Sequence, residues 1–191
     1  MDRDMTLNQT GVRLQAFAIR GLAGGAPFHF SGGMDALAVK LNRIGVACAV
    51  RDQGSMLRPY GEVASIFVEA LRAAKNGARL ALVGHSMGAD AALKVATLLA
   101  AESVRVPLVV CFDPTAFSVI LGPPAVPRNV GRVLSFYQKI TPLGRGVLRA
   151  GPGFAGELIQ ERHARIHSRI DDDPQLQDRV IAEFERLQGG T

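Results

Sequence analysis

The chain has 191 residues, of which 48% are hydrophobic and 20% charged. That balance suits one globular domain over 1–191, with a flexible extension at 1–11 and little room for a second core. No apolar run approaches the roughly 20 residues of a membrane span, and Met1-Asp2-Arg3-Asp4 lacks the basic start of a secretory signal, so the sequence reads as cytoplasmic.

The first strand is expected over Val12 to Arg20, running into the glycine-rich loop Gly21-Leu22-Ala23-Gly24-Gly25. Met34, Leu37, Ala38, Leu41 and Ile44 recur at helical spacing, with Gly45 placed to end that helix. A second strand spans Val46 to Val50, then comes a loop from Asp52 to Pro59. A second amphipathic helix follows, marked by Val63, Ile66, Phe67, Ala70, Leu71 and Ala74 and ended by Gly77. Leu80 to Val83 forms strand three and Ala89 to Ala101 the next helix. Pro107 to Phe112 and Val130 to Tyr137 form strands four and five, and a short strand starts near Glu157. The closing helix begins at Pro174, capped by Asp173, with Leu176, Val180, Phe184 and Leu187 on one face. Strand alternating with helix implies a three-layer α/β sandwich, a mostly parallel sheet of about six strands with helices on both faces. Loops that follow the strands then gather at one sheet edge, where ligands bind in such folds.

The joint between strand three and its helix reads Gly84-His85-Ser86-Met87-Gly88, of the form G-x-S-x-G. A one-residue turn from strand to helix strains the serine, and side chains at the flanking glycines would collide with strand and helix. In exchange the hydroxyl is lifted clear of the sheet. The Met87 N–H, at the helix start, points at negative charge developing beside Ser86. Ser86 is therefore the candidate nucleophile and Met87 a candidate oxyanion donor.

A serine needs a base, and the base an orienting group. His29 precedes the nucleophile in the chain, and His85, beside Ser86 on a sharp turn, is expected to point away into packing or a loop hydrogen bond. His163 and His167 both follow the last strand and precede the closing helix. His163 lies where the chain is still leaving the sheet, whereas His167 sits further along, between Ile166 and Ile170 as apolar anchors. Their H-x-x-x-H spacing lacks the H-E-x-x-H form and a third ligand, so no metal is expected, nor any other cofactor. For the acid, Asp113 ends an apolar strand in Phe112-Asp113-Pro114, and the loop after strand five offers no competitor. Cys48 and Cys111 lie in strand-like runs and read as small buried hydrophobes.

With these residues in place, the chain resembles the α/β-hydrolase superfamily of lipases, esterases and thioesterases over nearly its whole length. Gly84-His85-Ser86-Met87-Gly88 is similar to the lipase and thioesterase elbow, and Phe112-Asp113-Pro114 to the Asp-Pro of pancreatic-type lipases. Arg20-Gly21-Leu22, Phe136-Tyr137-Gln138 and His167-Ser168-Arg169-Ile170-Asp171 resemble small bacterial lipase- or thioesterase-like proteins of rhizobial type. In those proteins a His-x-x-Ile-Asp segment supplies the base, which implies His167. The likeness implies a serine hydrolase that cleaves an ester or acyl thioester, and the short chain is expected to form a minimal version of that fold without a cap domain. The likeness also implies an oxyanion donor in the loop after strand one. There Gly21-Leu22-Ala23 replaces the usual His-Gly pair and leaves the choice between Leu22 and Ala23 open. The alternative function is a hydrolase-fold binding module without turnover.

The net charge of +5 invites a nucleic-acid reading, but no nucleic-acid motif or interleaved aromatics accompany it, and no such partner is expected. The charge is uneven. Residues 128–169 carry eight basic groups against Glu157 and Glu161, and residues 170–191 swing to −4. Arg145 and Arg149 sit in the loop expected to overhang the site, which suits an acyl group carried on a phosphate-bearing arm.

Overall fold

The computed structural model describes residues 13–22, 30–115, 123–140 and 146–190. The expected extension at 1–11 lies outside them. Among the described residues there are six strands and four α-helices, alternating up to β4. In chain order they are β1 (Leu14–Arg20), α1 (Gly32–Arg43), β2 (Ala47–Asp52), α2 (Val63–Lys75), β3 (Arg79–His85) and α3 (Met87–Ala101). They continue as β4 (Val106–Phe112), β5 (Val130–Tyr137), β6 (Glu157–Arg162) and α4 (Pro174–Gly189). The strands form one sheet in the order β2-β1-β3-β4-β5-β6, and every pairing is parallel.

Both faces of the sheet are covered, and the period-2 alternation of each strand feeds two separate cores. Phe17, Ile19, Leu80, Leu82, Val109 and Cys111 pack with Ile66 and Ala70 of α2 and Leu93 of α3. Ala16, Ala18, Val83, Val110, Leu134 and Phe136 face the other way, against Met34 and Leu37 of α1 and Phe184 of α4. The all-apolar reading of β3 and β4 thus follows from burial on two sides. Gly45 and Gly77 both adopt positive φ just past a helix end, the conformation that stops α1 and α2. Asp173 caps α4, its side chain accepting from the N–H groups of Gln175 and Leu176.

The order in which strands are added to the sheet reverses at β1. The sheet grows outward from β1 to β2, then crosses back to place β3 on the other side of β1. Loops leaving β1 and β3 therefore part at that point, and a crevice opens there at the carboxyl edge. Cys111 is fully buried, but Cys48, on the edge strand β2, is only half-buried, so the expectation of burial holds for one of the two. An edge strand has a neighbour on one side only, which leaves its side chains less covered. No helix among the described residues is long and apolar enough to cross a membrane.

Candidate active site

The elbow is built from backbone collisions that only glycine avoids. A Cβ on Gly84 would lie 2.3 Å from the carbonyl oxygen of Gly88, and one on Gly88 would lie 2.1 Å from that of Ile19. Between them Ser86 takes φ 58° and ψ −129°, a conformation an L-residue adopts only under constraint. Its N–H donates to the carbonyl of Phe112 at 2.9 Å, fixing the turn against the end of β4. Gly21 belongs to the same close fit. A Cβ there would come within 2.8 Å of the Ser86 Cβ, so the loop after β1 runs directly past the nucleophile candidate.

Asp113 follows β4 with φ 45° and is fully buried. One carboxylate oxygen accepts the Gln138 N–H at 3.1 Å, and the other lies 2.7 Å from Nδ1 of His167. The opposite ring nitrogen, Nε2, lies 2.9 Å from the Ser86 hydroxyl. Since a carboxylate only accepts, Nδ1 carries the ring proton and Nε2 is free to accept from Ser86. The three residues, 27 and 54 positions apart along the chain, are thus joined end to end.

His167 sits in a 3₁₀ turn, His167–Arg169, within the loop between β6 and α4. His163 is placed otherwise. Its N–H donates to the Tyr137 carbonyl at 2.7 Å at the very end of the sheet, and its Nδ1 accepts the Arg165 N–H at 3.3 Å. The loop's anchoring differs from expectation. Ile170 is fully buried, but Ile166 is 45% exposed and holds nothing down. Polar ties take its place. The Gln177 amide donates to the carbonyls of Asp171 and Gly33 at 2.7 and 3.1 Å, and Arg165 pairs with Asp173 at 2.8 Å. His85 is buried under the loop, with Nε2 donating to the main-chain carbonyl of His167 at 2.8 Å. Its ring stands 4.9 Å from that of His167.

A cavity of about 330 Å³ opens at Ser86, lined by Leu22, Phe30, Met87, Thr115, His167 and Ser168. Leu22 and Met87 are thus at the site, whereas Ala23 and Arg145 lie outside the described residues. Arg149 is exposed and does not line the cavity. The basic stretch is partly neutralised in space: Arg132 pairs with Glu157 and Glu183, Arg165 with Asp173, and Arg169 with Asp172. The sequence offered no sign of Thr115 or Ser168 as lining residues beyond their closeness to Asp113 and His167. Among the described residues no group of three His, Cys, Asp or Glu side chains is arranged to hold a metal ion.

A strained serine between strand and helix, on an all-parallel sheet with a histidine reaching back over its carboxyl edge, defines the class of protein: an α/β hydrolase. The family is narrower. A family model described as thioesterase domain matches residues 21–124, and the chain belongs to that family. Among solved structures the fold is similar to a hyperthermophilic esterase from the archaeon Pyrobaculum calidifontis. The TM-score is 0.66 at 15% identity, over 93% of this chain and 78% of that one. It is also similar to the RedJ thioesterase of the prodiginine biosynthetic pathway in Streptomyces coelicolor (TM-score 0.54, 18% identity, 91% and 89% covered). A third likeness is to the NocB thioesterase domain in covalent complex with a fluorophosphonate nocardicin G analogue (TM-score 0.57, 18% identity, 92% and 96% covered). At these identities the likeness speaks to the fold. No curated protein matches the chain in sequence.

Proposed function

We propose that this hydrolase cleaves a small acyl thioester or carboxylic ester through an acyl-enzyme on Ser86. His167 is the general base, Asp113 the orienting acid, and the N–H of Met87 with that of Leu22 or Ala23 the oxyanion donors. The observation that carries this reading is the continuous chain from Ser86 Oγ to His167 Nε2 at 2.9 Å and from His167 Nδ1 to Asp113 at 2.7 Å. Ser86 Oγ attacks the acyl carbon while His167 takes its proton, and Asp113 steadies the imidazolium. The tetrahedral oxygen draws on the N–H of Met87, at the positive end of α3. Collapse expels the thiol or alcohol, which leaves with the proton from His167, and a water activated by the same nitrogen then releases the acid. The apolar walls Leu22, Phe30 and Met87 suit an acyl group.

A fluorophosphonate probe tests this directly. The expected result is stoichiometric labelling at Ser86, with turnover of acyl-CoA or p-nitrophenyl esters of graded length. Absence of both in folded protein would leave the chain a binding module on a hydrolase fold.

A further inference from the structure

The proposed mechanism makes no use of a second buried imidazole at its centre. His85 is 1% exposed and immediately precedes Ser86. Its Nε2 faces a carbonyl, the main-chain oxygen of His167, and a carbonyl can only accept, so Nε2 carries the proton. Burial, followed by the neighbouring His167, pushes the ring's pKa down to about 3 and keeps it neutral, which leaves Nδ1 bare. The group within reach of Nδ1 is the Ser31 hydroxyl at 2.7 Å, which must therefore donate. The carboxyl of Asp171 stands 3.8 Å away, too far to take that place. The Ser31 oxygen in turn accepts the N–H of Gly21 at 3.1 Å. A one-way chain results, from the Gly21 N–H through Ser31 and His85 to the peptide of His167.

Ser31 breaks a local rule to join it. It occupies the N-cap position of α1, where serine is favoured because its oxygen caps the first-turn N–H groups, yet it makes no side-chain cap bond. A residue that forgoes its local role usually serves something else. The two ends of the chain are the loop past Ser86 that begins at Gly21 and the backbone of the base.

We propose that Ser31 and His85 are positioning residues that hold the oxyanion loop and the main chain of His167 in fixed register with Ser86. The inference rests on the reading of Ser86 and His167 as nucleophile and base. Displacing a base or an oxyanion donor by about 1 Å costs on the order of 100-fold in rate, because reacting atoms must meet within hydrogen-bond distance. A neutral relay suits this role, since it fixes geometry without adding a charge beside the imidazolium.

Ser31→Ala is the decisive variant, since it removes one oxygen and no cap bond. The expected result is an unfolding midpoint and KM close to wild type, with kcat and the rate of fluorophosphonate labelling both down about 10- to 100-fold. His85→Ala is expected to lose at least as much, and the double variant no more than His85→Ala alone, because both substitutions cut one chain. Unchanged kcat in Ser31→Ala, a loss confined to KM or to stability, or additive losses in the double variant would each overturn the proposal. Failure of the wild-type protein to label at Ser86 would instead overturn the catalytic reading beneath it.

Discussion

The turn that carries Ser86 and the loop that carries His167 meet at 2.9 Å, but opposite means hold them there. The elbow is fixed by its own backbone: Gly84 packs on Gly88, Gly88 on Ile19, and the strain at Ser86 is locked by contacts within a few residues or one strand away. The loop that carries His167, the candidate base, has a local tie in the Arg165–Asp173 ion pair but also leans on distant parts of the chain. It is held by Gln177 of α4, which also bonds the carbonyl of Gly33 in α1, by the burial of Ile170 and by His85, 82 positions before His167. The candidate nucleophile's geometry is thus set by backbone packing between its turn and the strand ends beside it, and the candidate base's geometry by side-chain ties to other elements. Substitutions in the two regions should fail differently.

The largest effect is expected on the elbow side. Ser86→Ala removes the proposed nucleophile and leaves the turn's backbone untouched, so it should fold normally and lose about 10⁶-fold in kcat, as for triad serines. Near-wild-type ester or thioester hydrolysis by this variant would remove Ser86 from the chemistry. Asp113→Asn acts on the other partner. An amide can still accept the Gln138 N–H but no longer demands the proton on Nδ1 of His167, so the ring can adopt the tautomer that cannot accept from Ser86. A fall of about 10⁴-fold in kcat is expected, as in the corresponding triad variant of serine proteases. A loss under tenfold with folding intact would reduce Asp113 to a turn residue.

The same contrast sets what was legible in the sequence. Val130–Tyr137, the start of α4 at Pro174 with its Asp173 cap, and the strand-to-helix context of Ser86 were readable because each rests on local pattern. Asp113 was readable as a polar residue ending an apolar run. The choice between His163 and His167 was harder. Both follow β6, and what separates them in space is the tie of His163 to Tyr137 and the ties of the later residues to α1 and α4. Ile166 looked like an anchor because apolar residues usually are, but its loop is held by amides and an ion pair. The bond from Ser31 to His85 joins positions 54 apart, with no periodicity to announce it. Nor could the basic stretch be seen to fold against Glu183 and Asp173 of the acidic C-terminal region.

Smaller effects test the elbow's backbone packing through stability. Gly88→Ala forces a methyl group to within 2.1 Å of the Ile19 carbonyl oxygen, and neither backbone can give way without moving the sheet. A loss of about 3 kcal/mol is expected, at the upper end for overpacking. Gly32→Ala is the control, because nothing lies within 4 Å of its added carbon and a helical position favours alanine. It should be neutral or stabilising by up to about 1 kcal/mol. Urea midpoints of the two variants decide the matter, and equal losses would mean that glycine at the elbow is not required by space.

The base loop has its own signature in pH. Asp171, four residues after His167, is fully buried, and its carboxyl makes no hydrogen bond of good geometry among the described residues, with Nδ1 of His85 3.8 Å away. Burial, with the charge of Asp172 adding to it, raises its pKa from 3.8 to about 8, against the opposing pull of the Gly33 and Met34 N–H groups at the start of α1. The folded state therefore keeps a proton that the unfolded chain gives up near pH 4. Stability from this group is complete below that value and is lost as pH rises toward about 8. Asp171→Asn carries no proton to lose. Asp90, whose burial raises its pKa to about 6, contributes a slope of the same sign, but it is present in both proteins and cancels from the comparison. Urea midpoints measured from pH 5 to 8.5 should fall more steeply for the wild type than for Asp171→Asn, with the variant gaining relative stability toward the alkaline end. Parallel curves would mean that the carboxyl is solvated or paired when the loop breathes. In that case the base loop is looser than its contacts imply, and the contrast with the elbow is larger than the static distances suggest.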